Sequence, residues 1–189
     1  MPLVPAATPS SAPAPAQRAL ALEQGIARVT HTLAGDSFRL NEVLRAILEA
    51  MHEAIGLRSV VFALRDPRSG VLTGRLGLGE AGTALSAQMR VDVNPGAVPD
   101  LLSAACRKAA DTLIADARAP NVASRLPTWL QRDPGARSFI LLPMTMKNAP
   151  FALIYGDHGE PGGLVLGERE LSLVRTLRNQ AVMAFKAQG

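Results

Sequence analysis

The residue pattern predicts an α+β fold, in which a central antiparallel sheet carries the N- and C-terminal helices on one face and loops with short helices over a pocket on the other. Two pairs of strand-like runs, Ser59 to Arg65 with Val71 to Leu78 and Ser138 to Met146 with Phe151 to Asp157, are each joined by a turn. Hairpins of this kind require antiparallel pairing. Long amphipathic segments stand before the first pair and after the second, and the stretch between the pairs is irregular. A sheet with helices behind and loops in front leaves room for a pocket between sheet and loops.

Residues 1 to 16 hold five prolines among alanines and serines. This Pro/Ala-rich composition reads as a disordered linker, which in turn suggests another domain upstream. In segment 17–35, Leu22, Ile26, Val29 and Leu33 recur at intervals of four, three and four before Gly35-Asp36 ends the helix. Two heptads fit either a helix lying on its own domain or a linker or dimerisation helix packing against its copy. The remaining 36–189 form one domain.

Its first helix shows a broad apolar stripe, Leu40, Val43, Leu44, Ile47, Leu48, Met51 and Ile55, closed by Gly56. Glu42, Arg45, Glu49 and Glu53 make the solvated face. The first hairpin turns at Asp66 to Gly70, and the second at Lys147-Asn148-Ala149-Pro150, where Asn148 tolerates a left-handed conformation. Between them, Met89 to Val93 and Asp111 to Ala115 read as short strands and Val98 to Ala109 as a helix beginning near Pro99-Asp100. Asp116 to Gly135 contains three prolines and the only tryptophan, Trp129, as binding loops and lids often do. Glu168 to Ala187 closes the chain as a helix, with acids in its first turn and Lys186 near its end, matching the helix dipole.

Composition narrows the function classes. The net charge of +4 comes from 17 arginines and three lysines scattered among 16 acids, without a basic block, an aromatic cluster or a phosphate loop. No nucleic-acid partner is expected from such a distribution. No apolar run reaches the ~20 residues of a membrane-spanning helix, so no membrane role is expected. The single cysteine, Cys106, excludes an intramolecular disulfide framework and fits a cytoplasmic protein. His31, His52 and His158 lie in three separate elements, without the i, i+4 spacing that pairs two ligands on one helix face, so no metal site, catalytic constellation or cofactor is expected.

Arg137 to Met144, the following turn and Phe151 to Asp157 resemble the strand, proline, turn and strand signature of GAF domains, and Glu170 to Ala181 resembles their closing helix. More narrowly, Leu40 to Arg45, Leu64 to Pro67 and Leu113 to Ala117 are similar to the GAF-like C-terminal region of bacterial HDOD-domain signalling proteins. The resemblance implies a six-stranded antiparallel sheet, a small-molecule pocket, a homodimer through the terminal helices and regulation of an attached output domain. The Asn-Lys-Phe-Asp-Glu set of cyclic-nucleotide-binding relatives has no equivalent here. Cys106 is followed by Arg107 instead of the His of bilin-binding relatives, and one cysteine lacks the resolving partner that methionine sulfoxide reduction needs.

The expected function is therefore a non-enzymatic sensor module of bacterial signal transduction that binds an unidentified small molecule. The alternative is a dimerisation or scaffold domain without a ligand. Polar and aromatic groups at strand ends and in the irregular middle are the pocket candidates: Arg65, Arg75, Asp116, Trp129, Arg137, Ser138 and Tyr155. Arginine forks among them favour an anionic or carboxylate-bearing ligand, whereas Trp129 and Tyr155 also suit a core plug beneath the loops.

Overall fold

A computed structural model of the chain describes residues 13–188. Six strands form one sheet in the order β3-β2-β1-β6-β5-β4, with every neighbouring pair antiparallel. The strands are β1 (Ser59–Arg65), β2 (Val71–Gly79), β3 (Arg90–Asp92), β4 (Thr112–Ile114), β5 (Ser138–Met146) and β6 (Ala149–His158). Helices α1 (Pro15–Leu33), α2 (Leu40–Ile55) and α7 (Glu168–Gln188) cover one face. The short helices α3 (Gly82–Gln88), α4 (Leu101–Arg107), α5 (Pro120–Ala123) and α6 (Thr128–Gln131) belong to the other.

Because β1 and β6 are the central strands, successive side chains feed two separate cores. Val60, Phe62, Ile154, Ile140 and Leu142 meet the helices. Val61, Ala63, Leu153, Tyr155 and Phe139 face the loops. Burial on both sides explains the nearly unbroken apolar runs of β1, β5 and β6.

The expected linker 1–16 falls mostly on residues outside those described, but its end needs correction. Pro15 and Ala16 are the first residues of α1, and Ala14 precedes it in extended backbone, donating its N–H to Gln17 Oε1 at 3.2 Å. A proline at the first helical position costs nothing, because its missing N–H has no intrahelical acceptor there. The seam is turned inward: Leu22 and Val29 are buried, and Ile26 and Leu33 pack partly against the same core. In this structure α1 lies on its own domain.

Gly25 makes that approach possible, since a Cβ there would stand 2.6 Å from the Ala50 Cβ of α2. Arg18 Nε donates to Glu170 at 2.7 Å, and Gln180 Nε2 donates to the Ile26 carbonyl at 3.2 Å and to Thr30 Oγ1 at 2.9 Å. Contacts that advance together along both helices mean that α1 and α7 run parallel. Asp111, just before β4, accepts from Arg175 Nε at 2.9 Å and Arg178 Nη1 at 2.6 Å, which ties α7 to that edge of the sheet. Among the described residues, no helix is long and apolar enough to cross a membrane.

Helix α3 was not evident in the sequence. It lies on β2 through glycines, with the Gly74 position against the Ser86 backbone and the Gly77 position against the Gly82 carbonyl. The second hairpin is also tighter than expected, because Lys147 and Asn148 both take positive φ and Ala149 already pairs with Met146. A two-residue turn of this hand suits the right-handed twist of its strands.

The glycine contacts yield a first prediction. Gly77→Ala should lower stability by about 1–3 kcal/mol, the usual cost of overpacking, read as a reduced urea midpoint. Gly96→Ala, which has nothing within 4 Å of its added methyl, should leave the midpoint unchanged.

Candidate functional site

The loop-covered side of the sheet, where the sequence places a pocket, is filled. Tyr155, Phe139, Leu141, Leu153 and Leu72 project from the strands and meet Met89, Leu102, Cys106 and Leu130 from the covering segments, all of them buried. Phe139 and Tyr155 pack with ring centroids 5.8 Å apart. The expectation of an open space between sheet and loops is corrected accordingly: large apolar side chains occupy it. At its border lie clefts of 220 and 290 Å³, the first lined by Trp129 and the second by Ala117 and Gln131, with Asp133 lining both.

Asp133 belongs to a buried polar network at the end of β6. Asp157, fully buried, closes that strand and receives a two-pronged grip from Arg58, Nε to Oδ1 at 2.9 Å and Nη2 to Oδ2 at 2.7 Å. The same guanidinium holds Asp133, Nη1 to Oδ1 at 3.1 Å and Nη2 to Oδ2 at 3.0 Å. Tyr155 donates its hydroxyl to Asp157 Oδ2 at 2.7 Å, and the Gly135 N–H donates to Asp133 Oδ1 at 2.9 Å. Arg58 is placed by local backbone: Gly56 ends α2 in the left-handed region at φ 78°, and Arg58 N–H then donates to the Asp157 carbonyl at 2.8 Å. One side chain thereby links the end of α2, the centre of the sheet and the loop that follows α6.

The electrostatics follow from this packing. Hydrogen bonding to Asp157, helped by Asp133, outweighs desolvation and keeps the Arg58 guanidinium charged well above its ordinary range. Burial on its own would raise Asp133, but Arg58 and the Gly135 N–H together hold its carboxyl below the usual carboxylate value. Burial first, and then the neighbouring Asp157 charge, push the Tyr155 phenol well upward, so it stays protonated as a donor. Cys106 sits buried in α4, its thiol pushed up to about 12 by burial and by Asp100. A thiol at that value forms almost no thiolate at neutral pH. Among the described residues, no group of three His, Cys, Asp or Glu is placed to hold a metal ion.

The seven sequence candidates do not converge. Tyr155 joins the network, and Trp129 lines the first cleft while its indole N–H donates to the Arg90 carbonyl at 3.2 Å. Asp116 closes a turn by accepting from the Arg118 N–H at 3.0 Å. Arg137 pairs through its backbone with His158 and Ala117, and its Nε is buried without a partner among the described residues. Ser138 faces away from the loops, since it alternates with Phe139, and donates Oγ to the Glu160 carbonyl at 2.9 Å. Arg65 is exposed at the far end of β1, and Arg75 borders a different cavity on the helix-covered face. Arg58, Asp133 and Asp157 were missed. The available signal was an arginine immediately after the Gly56 helix stop and an acid ending the apolar run of β6.

A family model described as GAF domain matches residues 39–185. No curated protein matches the chain. The GAF domain of an Acinetobacter phosphoenolpyruvate-protein phosphotransferase is similar in structure, with a TM-score of 0.68 and 13% identity over 88% of this chain and 91% of the other. Free methionine-R-sulfoxide reductase from Neisseria meningitidis gives 0.65 and 18%, covering 94% and 96%. A GAF domain/HD domain protein from Geobacter sulfurreducens gives 0.60 and 15%, covering 79% and 94%. At such identities the likeness establishes the fold alone.

The network makes a prediction about acid stability. A carboxyl held below its unfolded value adds stability that is complete at neutral pH and is lost as pH falls below about 4. Asp133→Asn should therefore lower the urea midpoint at pH 7 and have a smaller effect at pH 3. Asp157→Asn, which breaks a buried pair, should cost about 3–5 kcal/mol at pH 7.

Proposed function

Since the chain belongs to the GAF domain family, we propose that it is a non-enzymatic regulatory module of bacterial signal transduction, sensing a small carboxylate-bearing molecule at the loop-covered face. The observation that carries this reading is the Arg58–Asp133 pair. Asp133 lies on both clefts and is the acid through which the loop after α6 grips the sheet. A ligand carboxylate entering from the cleft that Trp129 lines can take the place of the Asp133 carboxylate on Arg58, because a guanidinium fork accepts one planar anion in the same way as another. The exchange releases the loop. Arg58 stands two residues beyond Gly56, so it also shifts the end of α2 and, through α2, the layer of terminal helices.

Signalling of this kind needs a ligand that favours the released arrangement over the latched one. The layer would pass the change to a partner protein or an attached output domain of the HDOD kind, in the cytoplasm. The raised thiol of Cys106 supports a role without catalysis. A homodimer is part of the reading, with one adjustment: Leu22 and Val29 are already buried, so the exposed Leu20 and Met183 are the apolar side chains of α1 and α7 available to a second copy. A scaffold role without any ligand is the second reading, and the filled loop-covered core favours it.

A thermal-shift panel of amino acids, nucleotides and short carboxylates on the whole chain separates the two. Under the sensing reading at least one carboxylate raises Tm, Trp129→Ala abolishes the rise, and amide exchange changes at residues 128–137 and 53–58 on binding. A flat response across the panel, with exchange unchanged, supports the scaffold.

A further inference from the structure

A cavity of 520 Å³ lies on the helix-covered face, where the start of α2 and the end of α7 leave β1 and β2 partly uncovered. Leu44, Phe62, Leu76 and Phe185 give it an apolar interior, with Phe62 and Phe185 stacked at 5.8 Å. Arg45 and Arg75 stand among its lining residues, and no acid does. The volume falls within the ~300–1,000 Å³ of ordinary small-molecule sites.

Arg75 owes its place to a break in register. Phe62 pairs with Leu76 and the next residue, Ala63, pairs with Gly74, so Arg75 is the extra residue of a β-bulge. A bulge re-aims a side chain. This one lets Arg75 and Leu76 border the same cavity, whereas strict alternation would send neighbours to opposite faces. Among the described residues, Arg75 has no carboxylate at ion-pair distance, and Arg45 has only the half-exposed Glu49 at the limit of 4.0 Å. Two cations with little to neutralise them thus lie beside an apolar chamber.

We propose that this cavity is a second binding site, for an amphipathic organic anion: a carboxylate on Arg75 and Arg45, with an aliphatic body among Leu44, Phe62, Leu76 and Phe185. A purely polar anion leaves the interior unfilled, and a cationic amphiphile is repelled by the arginines. The first twelve residues of the chain hold no acid, so they do not complement that charge. The site shares no residue with the Arg58 network, and a bound anion touches α2 and α7 directly.

Isothermal titration of the whole chain tests this with decanoate, decylamine and inorganic phosphate as probes. Decanoate should bind, and phosphate and decylamine should not. Arg75→Gln, at an exposed position, should keep the Tm of the parent and weaken decanoate binding about tenfold or more, the loss expected for one charge-assisted contact. Arg68→Gln, which removes an exposed arginine outside both sites, should leave decanoate affinity unchanged, and because Arg75 lines this cavity and neither loop-side cleft, failure of the loop-side reading does not touch this one. The proposal is overturned if decanoate does not bind, if decylamine binds equally well, if Arg75→Gln has no effect, or if Arg68→Gln weakens decanoate as much as Arg75→Gln does.

Discussion

A carboxylate with no access to water, Asp157 at the end of a central strand, sets the terms for this molecule. Burial of a charge without partners is prohibitive, and Asp157 is satisfied by a fork from Arg58 and a hydroxyl from Tyr155. Each partner brings obligations of its own. Arg58 must leave α2 at a fixed angle, which Gly56 provides, and its remaining donors must find Asp133. Tyr155 must be buried under the loops with its hydroxyl turned toward Asp157, which fills part of that face. The order of α2, β1, β6 and the loop after α6 is in this sense organised around a single charge.

The two faces differ in how closely their coverings pack. On the loop-covered side, small residues at Gly74 and Gly77 let α3 settle onto the strand backbone, and the aromatic pair Phe139 and Tyr155 occupies the space above β5 and β6. On the helix-covered side, helices keep their full diameter, and α2 and α7 cannot both close over β1 and β2 at their far ends. Space is left where rigid cylinders meet a sheet, and it is removed where short segments can fold down.

Elements with a strong period were legible in the sequence. The stripe of α2, both hairpins and α7 stand where their spacing placed them, because each depends on its own alternation of apolar and polar residues. Helix α3 was hidden: Gly82 to Gln88 shows little apolar stripe and owes its existence to contact with glycines of β2. The seam of α1 was visible but its partner was not, because Leu22 and Val29 fit an intramolecular neighbour as well as a copy. The site was the least legible part. Arg58, Asp133 and Asp157 are separated by tens of residues, and pairing across such distances leaves no local trace. Candidates such as Arg65 and Ser138 look the same in sequence as residues that converge, and strand parity alone sends Ser138 to the wrong face.

The parallel course of α1 and α7 has a mechanical consequence. Two helices that run the same way bring the chain in at one end of their layer and carry it out at the other, roughly 30 Å apart for a helix of 21 residues. Arg18 with Glu170 and Gln180 with Ile26 and Thr30 fasten the pair near its start and again two-thirds of the way along. Such a layer has the geometry of a strut with one exit at each end, whereas an antiparallel pair shares a single exit and has the geometry of a pair of scissors.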